Sequence, residues 1–151
     1  MNKIKIAIAD DYKIYRDGLK VGLAVDENLD VISEADNGED LLASFEKEIP
    51  DVVIMDLKMP LMDGMEATKI IRKKFSTIKV LVVTMYEDDK FIIHLMENGA
   101  NGYLLKNADS EEIRKSIYAV YENGYYFNDL VNKALLKKLV NKANFKPSFN
   151  Q

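Results

Sequence analysis

The sequence predicts an α/β domain built on one open parallel sheet, and three observations carry that prediction. Strand-like runs alternate with amphipathic stretches five times. Three of the runs, Ile6-Ala7-Ile8-Ala9, Val52-Val53-Ile54-Met55 and Val80-Leu81-Val82-Val83, are apolar without alternation, the pattern of strands covered on both faces. The repeat recurs every ~20–25 residues, the length that a right-handed strand–helix–strand crossover needs.

The elements follow in order. Strands are expected at 4–9, 30–35, 52–55, 79–83 and 102–105. After the first, Tyr15, Leu19 and Leu23 recur at four-residue spacing and mark a helix face. Asn37-Gly38 precedes a second helix striped by Leu41, Leu42 and Phe45. Asp63 stands where a cap belongs, with Glu66 at capping-box distance, before the stripe Met65, Thr68, Ile71 and Arg72. The fourth helix carries Phe91, Leu95 and Met96 and stops at Asn98-Gly99. The fifth carries Ile113, Ile117, Val120 and Tyr121 on one face and stops at Asn123-Gly124. Beyond Gly124 the pattern changes. An aromatic segment, Tyr125-Tyr126-Phe127, leads into a further helical stripe of Leu130, Val131, Ala134, Leu135 and Leu139, and 144–151, with Pro147, is expected to fray. The chain is therefore divided into a domain at 1–124 and a linker helix with tail at 125–151. The 24 residues from Asn128 onward are too few for a core of their own.

Composition excludes several function classes. With 48% hydrophobic and 30% charged residues the chain is globular rather than disordered or fibrous. Its longest apolar runs are about five residues, against the ~18 that a membrane span requires. There is no cysteine and only one histidine, His94, so disulfides, thiolate metal sites and multi-histidine sites are excluded. Met1-Asn2-Lys3 runs directly into strand-like sequence, so no secretory leader is expected, and the cytoplasm is the expected location. Net charge is −4, with five lysines (133, 137, 138, 142, 146) against Asp129 from Asn128 onward, which leaves −8 on the body. An acidic body does not attract nucleic acid through its overall field.

In open parallel sheets, ligands bind beyond the carboxyl ends of the strands. Asp10-Asp11 follows the first strand, Asp56 ends the third, Thr84 the fourth, and Lys106 follows the fifth. The second strand ends in Ala35-Asp36-Asn37, further out if the strand order is 2-1-3-4-5. Three carboxylates in one crevice repel one another and raise each other's pKa, and a hard divalent cation removes that cost. Mg2+ prefers oxygen ligands and keeps several waters. Asp56 can then serve as a ligand and as a nucleophile toward phosphorus, while Lys106 offers a point charge and Thr84 a hydroxyl to a phosphoryl group. Taken singly, each residue has a plainer role as a cap or a solvated side chain. Together, at four matched strand ends, they point to phosphoryl chemistry.

With these motifs the chain resembles the receiver domain of two-component response regulators, a CheY-like, flavodoxin-like (βα)5 fold with strand order 2-1-3-4-5. The resemblance spans about 3–123. It rests on Asp10-Asp11, on Asp56 within Val52-Val53-Ile54-Met55-Asp56-Leu57-Lys58-Met59-Pro60, on Met62-Asp63-Gly64, on Thr84, and on Gly99-Ala100-Asn101-Gly102-Tyr103-Leu104-Leu105-Lys106. It implies that Asp56 is phosphorylated by a sensor histidine kinase. It implies that Asp11, Asp56 and the Lys58 backbone carbonyl hold Mg2+ directly, with Asp10 acting through water. Thr84 and Lys106 match the phosphate-contacting pair, and Thr84 and Tyr103 match the switch residues. The implied switch acts on the surface of the fourth helix, fifth strand and fifth helix, where a homodimer can form. It has no external turnover substrate.

The Gly-Tyr-Leu-Leu-Lys string, the later Asn-Gly-Tyr-Tyr-Phe and the following helix resemble the NarL/LuxR-type transcriptional regulators, which carry a helix-turn-helix domain after this helix. Nothing after Phe127 can supply such a domain, so DNA contact is expected only through a domain not in this chain. A stand-alone receiver acting by protein–protein interaction is the alternative. A Mg2+-dependent phosphohydrolase fits less well, because its Asp-x-Asp after the first strand is here an adjacent pair. A receiver that has lost its chemistry fits less well still, because the set of five residues is complete. The chain departs from many receivers in following Lys106 with Asn107 instead of proline, which leaves a cis peptide there in doubt.

Overall fold

A computed structural model describes residues 2–141 and 148–149. Among the described residues eleven elements follow one another, strand and helix alternating up to α5: β1 (Ile4–Ala9), α1 (Lys13–Ala24), β2 (Leu29–Ala35), α2 (Gly38–Ser44), β3 (Val52–Met55), α3 (Gly64–Lys74), β4 (Lys79–Thr84), α4 (Asp89–Glu97), β5 (Gly102–Leu105), α5 (Ser110–Asn123) and α6 (Asp129–Asn141). The five strands are parallel in the order β2-β1-β3-β4-β5. Second-strand pairing begins at Leu29, one residue earlier than the sequence pattern suggests, and β4 takes in Thr84.

The unbroken apolar strands divide their side chains between two helical layers. Ile4, Ile6, Ile8, Ile54, Leu81, Val83 and Leu104 face Leu19 and Leu23 of α1 and Ile113, Ile117 and Val120 of α5. Ala7, Ala9, Val53, Met55, Val80, Val82 and Tyr103 face Leu41, Ala67, Ile71, Ile92 and Leu95, from α2, α3 and α4. The second layer also receives Val131 and Ala134 of α6, both fully buried.

The caps explain where the helices start and stop. Asn37, Asp63, Asp88 and Asp109 each accept a bond from a backbone N–H in the first turn that follows. Gly124 closes α5 in the left-handed region at φ 91°, where a side chain would be strained. Asn128 opens α6 by accepting the Val131 N–H at 3.0 Å.

Two expected stripes are narrower than the spacing suggests. Tyr121 is exposed because it stands at the edge of the α5 stripe, one residue round from the fully buried Val120, and Leu139 is 68% exposed on α6, past the Lys138–Glu97 pair. The helix after Phe127 lies against α4 and β5 instead of projecting away. Two of the tail lysines form ion pairs there: Lys137 Nζ is 3.2 Å from Asp89, and Lys138 meets Glu97. The expected frayed tail, 144–151, lies outside the described residues except for 148 and 149, as do Lys142 and Lys146. Among the described residues no helix is long and apolar enough to cross a membrane.

Candidate functional site

The carboxyl ends of β1, β3, β4 and β5 lie side by side because backbone bonds continue just past the strands. The Asp10 N–H donates to Ala35 at 2.9 Å, the Asp56 N–H to Ala9 at 2.9 Å, and the Lys106 N–H to Thr84 at 2.8 Å. The β3–α3 loop then folds back tightly. The Gly64 N–H donates to the Leu57 carbonyl at 2.7 Å, and a Cβ on Gly64 would overlap the Asp56 carbonyl oxygen. Within this loop Leu61, an exposed side chain, holds a left-handed φ of 66°.

Asp10, Asp11 and Asp56 converge so that one carboxylate oxygen from each lies within 4.8 Å of the others. Asp10 and Asp56 are buried and Asp11 is exposed. The Lys106 ammonium sits between the two buried carboxylates, 2.8 Å from Asp10 Oδ2 and 3.0 Å from Asp56 Oδ2. Each carboxylate's other oxygen accepts a backbone N–H: Asp10 Oδ1 from Tyr12 and Asp56 Oδ1 from Leu57, both at 2.8 Å. Arg16 holds the Asp10 backbone carbonyl.

Burial raises the Asp10 carboxyl above the usual carboxylate range, and the Asp56 charge adds to this, although the bonds from Lys106 and Tyr12 oppose it. Burial pulls the Lys106 ammonium down, but its bonds to Asp10 and Asp56 outweigh that and leave it raised. Two tyrosine rings face the same ammonium, with the Tyr15 centroid at 4.8 Å and the Tyr12 centroid at 5.8 Å. Burial pushes the Tyr15 phenol up to about 12.

A cavity of ≈ 630 Å³ opens over this cluster, lined by Asp11, Tyr12, Asp56, Lys58, Met85, Tyr86 and Lys106. The cluster beneath it offers oxygen ligands alone, one from each of three carboxylates, and Asp11 and Asp56 open onto the cavity. That fits a hard divalent cation better than a soft one. Thr84 is fully buried at the foot of the site, and its hydroxyl is 3.5 Å from the Tyr86 N–H. Tyr103 is also fully buried. Its hydroxyl donates to the Tyr86 carbonyl at 2.5 Å, and its carbonyl accepts from Asn128 at 3.0 Å.

Asp10, Asp11, Asp56 and Lys106 are thus in mutual reach, Lys58 is exposed at the rim, and Thr84 and Tyr103 lie beneath. The Lys106–Asn107 peptide is trans. Sequence reasoning missed Tyr12, Tyr15 and Arg16 as neighbours of the cluster. Tyr15 is assigned by its spacing to the helix stripe, and only its place one turn past Asp10-Asp11 hints at the site.

The family described as the response regulator receiver domain matches residues 6–118. The transcriptional regulatory protein DegU of Brevibacillus brevis is 35% identical over 144 residues, covering 93% of this chain and 61% of that protein. The transcriptional regulatory protein LnrK of Bacillus subtilis (strain 168) is 40% identical over 121 residues, covering 80% and 55%. The chain therefore spans roughly three-fifths of the length of the curated relatives it matches. Among solved structures, a LuxR-family two-component response regulator from Aurantimonas sp. SI85-9A1 superposes with a TM-score of 0.83 at 27% identity, over 92% of this chain and 99% of that one.

Proposed function

The chain belongs to the response regulator receiver family, whose members act as signalling switches, and from that premise we propose that Asp56 accepts a phosphoryl group from a sensor histidine kinase in a Mg2+-dependent step. The observation that carries this reading is the Lys106 ammonium between Asp10 and Asp56, with Asp11 completing the carboxylate cluster. In the transfer, an Asp56 carboxylate oxygen forms a bond to phosphorus. The phosphorus–nitrogen bond to the donor histidine breaks, and the imidazole keeps the electron pair. Asp11, Asp56 and the Lys58 carbonyl would hold Mg2+, with Asp10 acting through water. When bound, the ion offsets the charge of the three carboxylates and of the incoming phosphoryl oxygens.

Lys106 already touches the attacking carboxylate, so it needs only a small movement to pair with a phosphoryl oxygen. Thr84 reaches the same group by donating its hydroxyl. The family pattern has this movement free space for Tyr103 to rotate inward, but Tyr103 is already fully buried and bonded to Tyr86, so the movement of Thr84 acts on a ring that is inward from the start. Residues 1–124 form the receiver, and 125–151 form the linker helix and tail that lead to the output. The output is transcriptional, in the cytoplasm, with DNA contacted through a further domain. The homologous transcriptional regulators support that part of the reading. Homodimerisation engages the surface of α4, β5 and α5.

Acetyl phosphate with Mg2+ tests the assignment. The wild-type chain should take up one stable phosphoryl group, and Asp56→Asn should take up none while remaining folded. Rapid multiple turnover would indicate a phosphohydrolase, and undiminished labelling of Asp56→Asn would overturn the phosphoacceptor assignment.

A further inference from the structure

The surface assigned above to homodimerisation is already covered in part by α6. Val131 and Ala134 are fully buried in the apolar cluster that contains Ile92 and Leu95 of α4 and Tyr103 of β5. The contact is apolar at its centre and charged at its rim, where Lys137 pairs with Asp89 at 3.2 Å and Lys138 with Glu97. The α4–β5 face therefore fits an amphipathic helix that brings branched and small apolar residues at i and i+3 and lysines along its flank. A docked α6 and a direct face-to-face dimer exclude each other. If α6 simply left, both its own buried stripe and the face beneath it would meet water.

We propose that the α4–β5 face is a seat for an α6 helix that a second copy of this chain can fill, so that the dimer forms by reciprocal exchange of α6. Exchange replaces each contact with the same contact from the other copy, which makes it a low-cost route to a dimer. The fit is not hypothetical, because this chain's own α6 demonstrates it. The segment that must re-route is short: Gly124 with its left-handed backbone, then Tyr125, Tyr126 and Phe127. Tyr126 is tied to the sheet edge by its N–H to Asn101 at 2.8 Å, so the pivot falls at Phe127 and Asn128. Asn128 is also where the trigger arrives. It caps α6 and holds the Tyr103 carbonyl, and three residues further along, just past β5, Lys106 touches Asp56. This trigger, and only this part of the inference, rests on Asp56 being the phosphoacceptor. Phosphate on Asp56 shifts Lys106 from the carboxylate to a phosphoryl oxygen and draws Thr84 toward it, which disturbs Tyr103 and its bond to Asn128 and speeds the release of α6.

The absence of cysteine makes the test direct. Asp89→Cys and Lys137→Cys are prepared as separate variants, mixed with Mg2+ and beryllofluoride, and treated with a short bis-maleimide. The expected result is a covalent heterodimer, several-fold more abundant than with the remote pair Lys47→Cys and Lys137→Cys. The double variant Asp89→Cys with Lys137→Cys, kept dilute, should give a linked monomer and so verify that the reagent spans the contact. Dimer at the background of the remote pair, while fluorine NMR shows beryllofluoride bound, would overturn the exchange and leave the phosphoacceptor assignment standing. If no beryllofluoride binds, that assignment fails instead. The seat is then judged on cross-linking after prolonged mixing at high concentration, where background dimer overturns it and excess dimer supports it.

Discussion

Replacing Lys106 with methionine keeps an unbranched side chain and removes the charge between Asp10 and Asp56. The ammonium lies 2.8 Å and 3.0 Å from the two carboxylates. At an effective dielectric of about 20, each contact is a Coulombic attraction of roughly 6 kcal/mol before desolvation is counted. Desolvation offsets most of that, and removing one partner of a buried pair costs ~3–5 kcal/mol. Because Lys106 borders an open cleft, the low end applies, about 3 kcal/mol, or a fall of ~6–12 °C in Tm. The variant also fixes the sign of a pH effect. Burial already raises the Asp10 carboxyl, and losing Lys106 removes the main opposing influence, so the folded value rises further. A carboxyl with a raised folded pKa favours the fold below its unfolded value, near 4, and loses that contribution as pH rises through the folded value. The deficit should therefore be largest at about pH 7 and shrink toward about pH 4. Millimolar Mg2+ should also reduce it, since a cation replaces the missing charge. Urea unfolding of both chains across this range measures it. A deficit under ~1 kcal/mol, the size of a solvent-screened surface pair, or one indifferent to pH, would show that Lys106 does not hold the two carboxylates together.

Three further outcomes follow from single contacts. The Tyr15 hydroxyl is buried with no hydrogen-bond partner among the described residues, while its ring faces Lys106. Tyr15→Phe should leave stability unchanged or raise it by up to ~1 kcal/mol in urea unfolding, whereas Tyr15→Leu should lower it and slow phosphoryl uptake. Gly64→Ala places a methyl group against the Asp56 carbonyl, so it should cost ~1–3 kcal/mol and depress acetyl-phosphate labelling by displacing Asp56. Asn101 accepts from the Val80 N–H and Arg72 and donates to the Gly124 carbonyl. Asn101→Ala strands these groups and should cost about 3 kcal/mol by the same unfolding measurement.

Most of the architecture is legible in the sequence because its signals are local. Runs such as Val52–Met55 announce a doubly covered strand, and Asn37, Asp63 and Gly124 mark helix ends through their own side chains or backbone. The site is legible for a different reason. Its residues follow directly from the strand ends, and parallel register brings those ends level. The docking of α6 is not legible, because the stripe Leu130, Val131, Ala134, Leu135 and Leu139 gives an apolar face but not the surface that receives it. The actual contact is set by the Gly124–Asn128 turn and by Asp89 on α4, 48 residues before its partner Lys137, a separation no local pattern encodes. The aromatic enclosure of Lys106 is hidden for the same reason, since Tyr15 satisfies the helix period as well as any core residue would.

The residue that carries the phosphoryl group, Asp56 in the reading above, can be identified chemically. After incubation with acetyl phosphate and Mg2+, sodium borohydride reduces an acyl phosphate to the alcohol, which converts a phosphorylated aspartate to homoserine. Peptide mass spectrometry should then find homoserine at position 56, with Asp10, Asp11 and every other aspartate unchanged and no conversion when Mg2+ is chelated. Homoserine at position 10 or 11, or none at 56 in a chain that has taken up phosphate, would mean that Asp56 is not the phosphoacceptor.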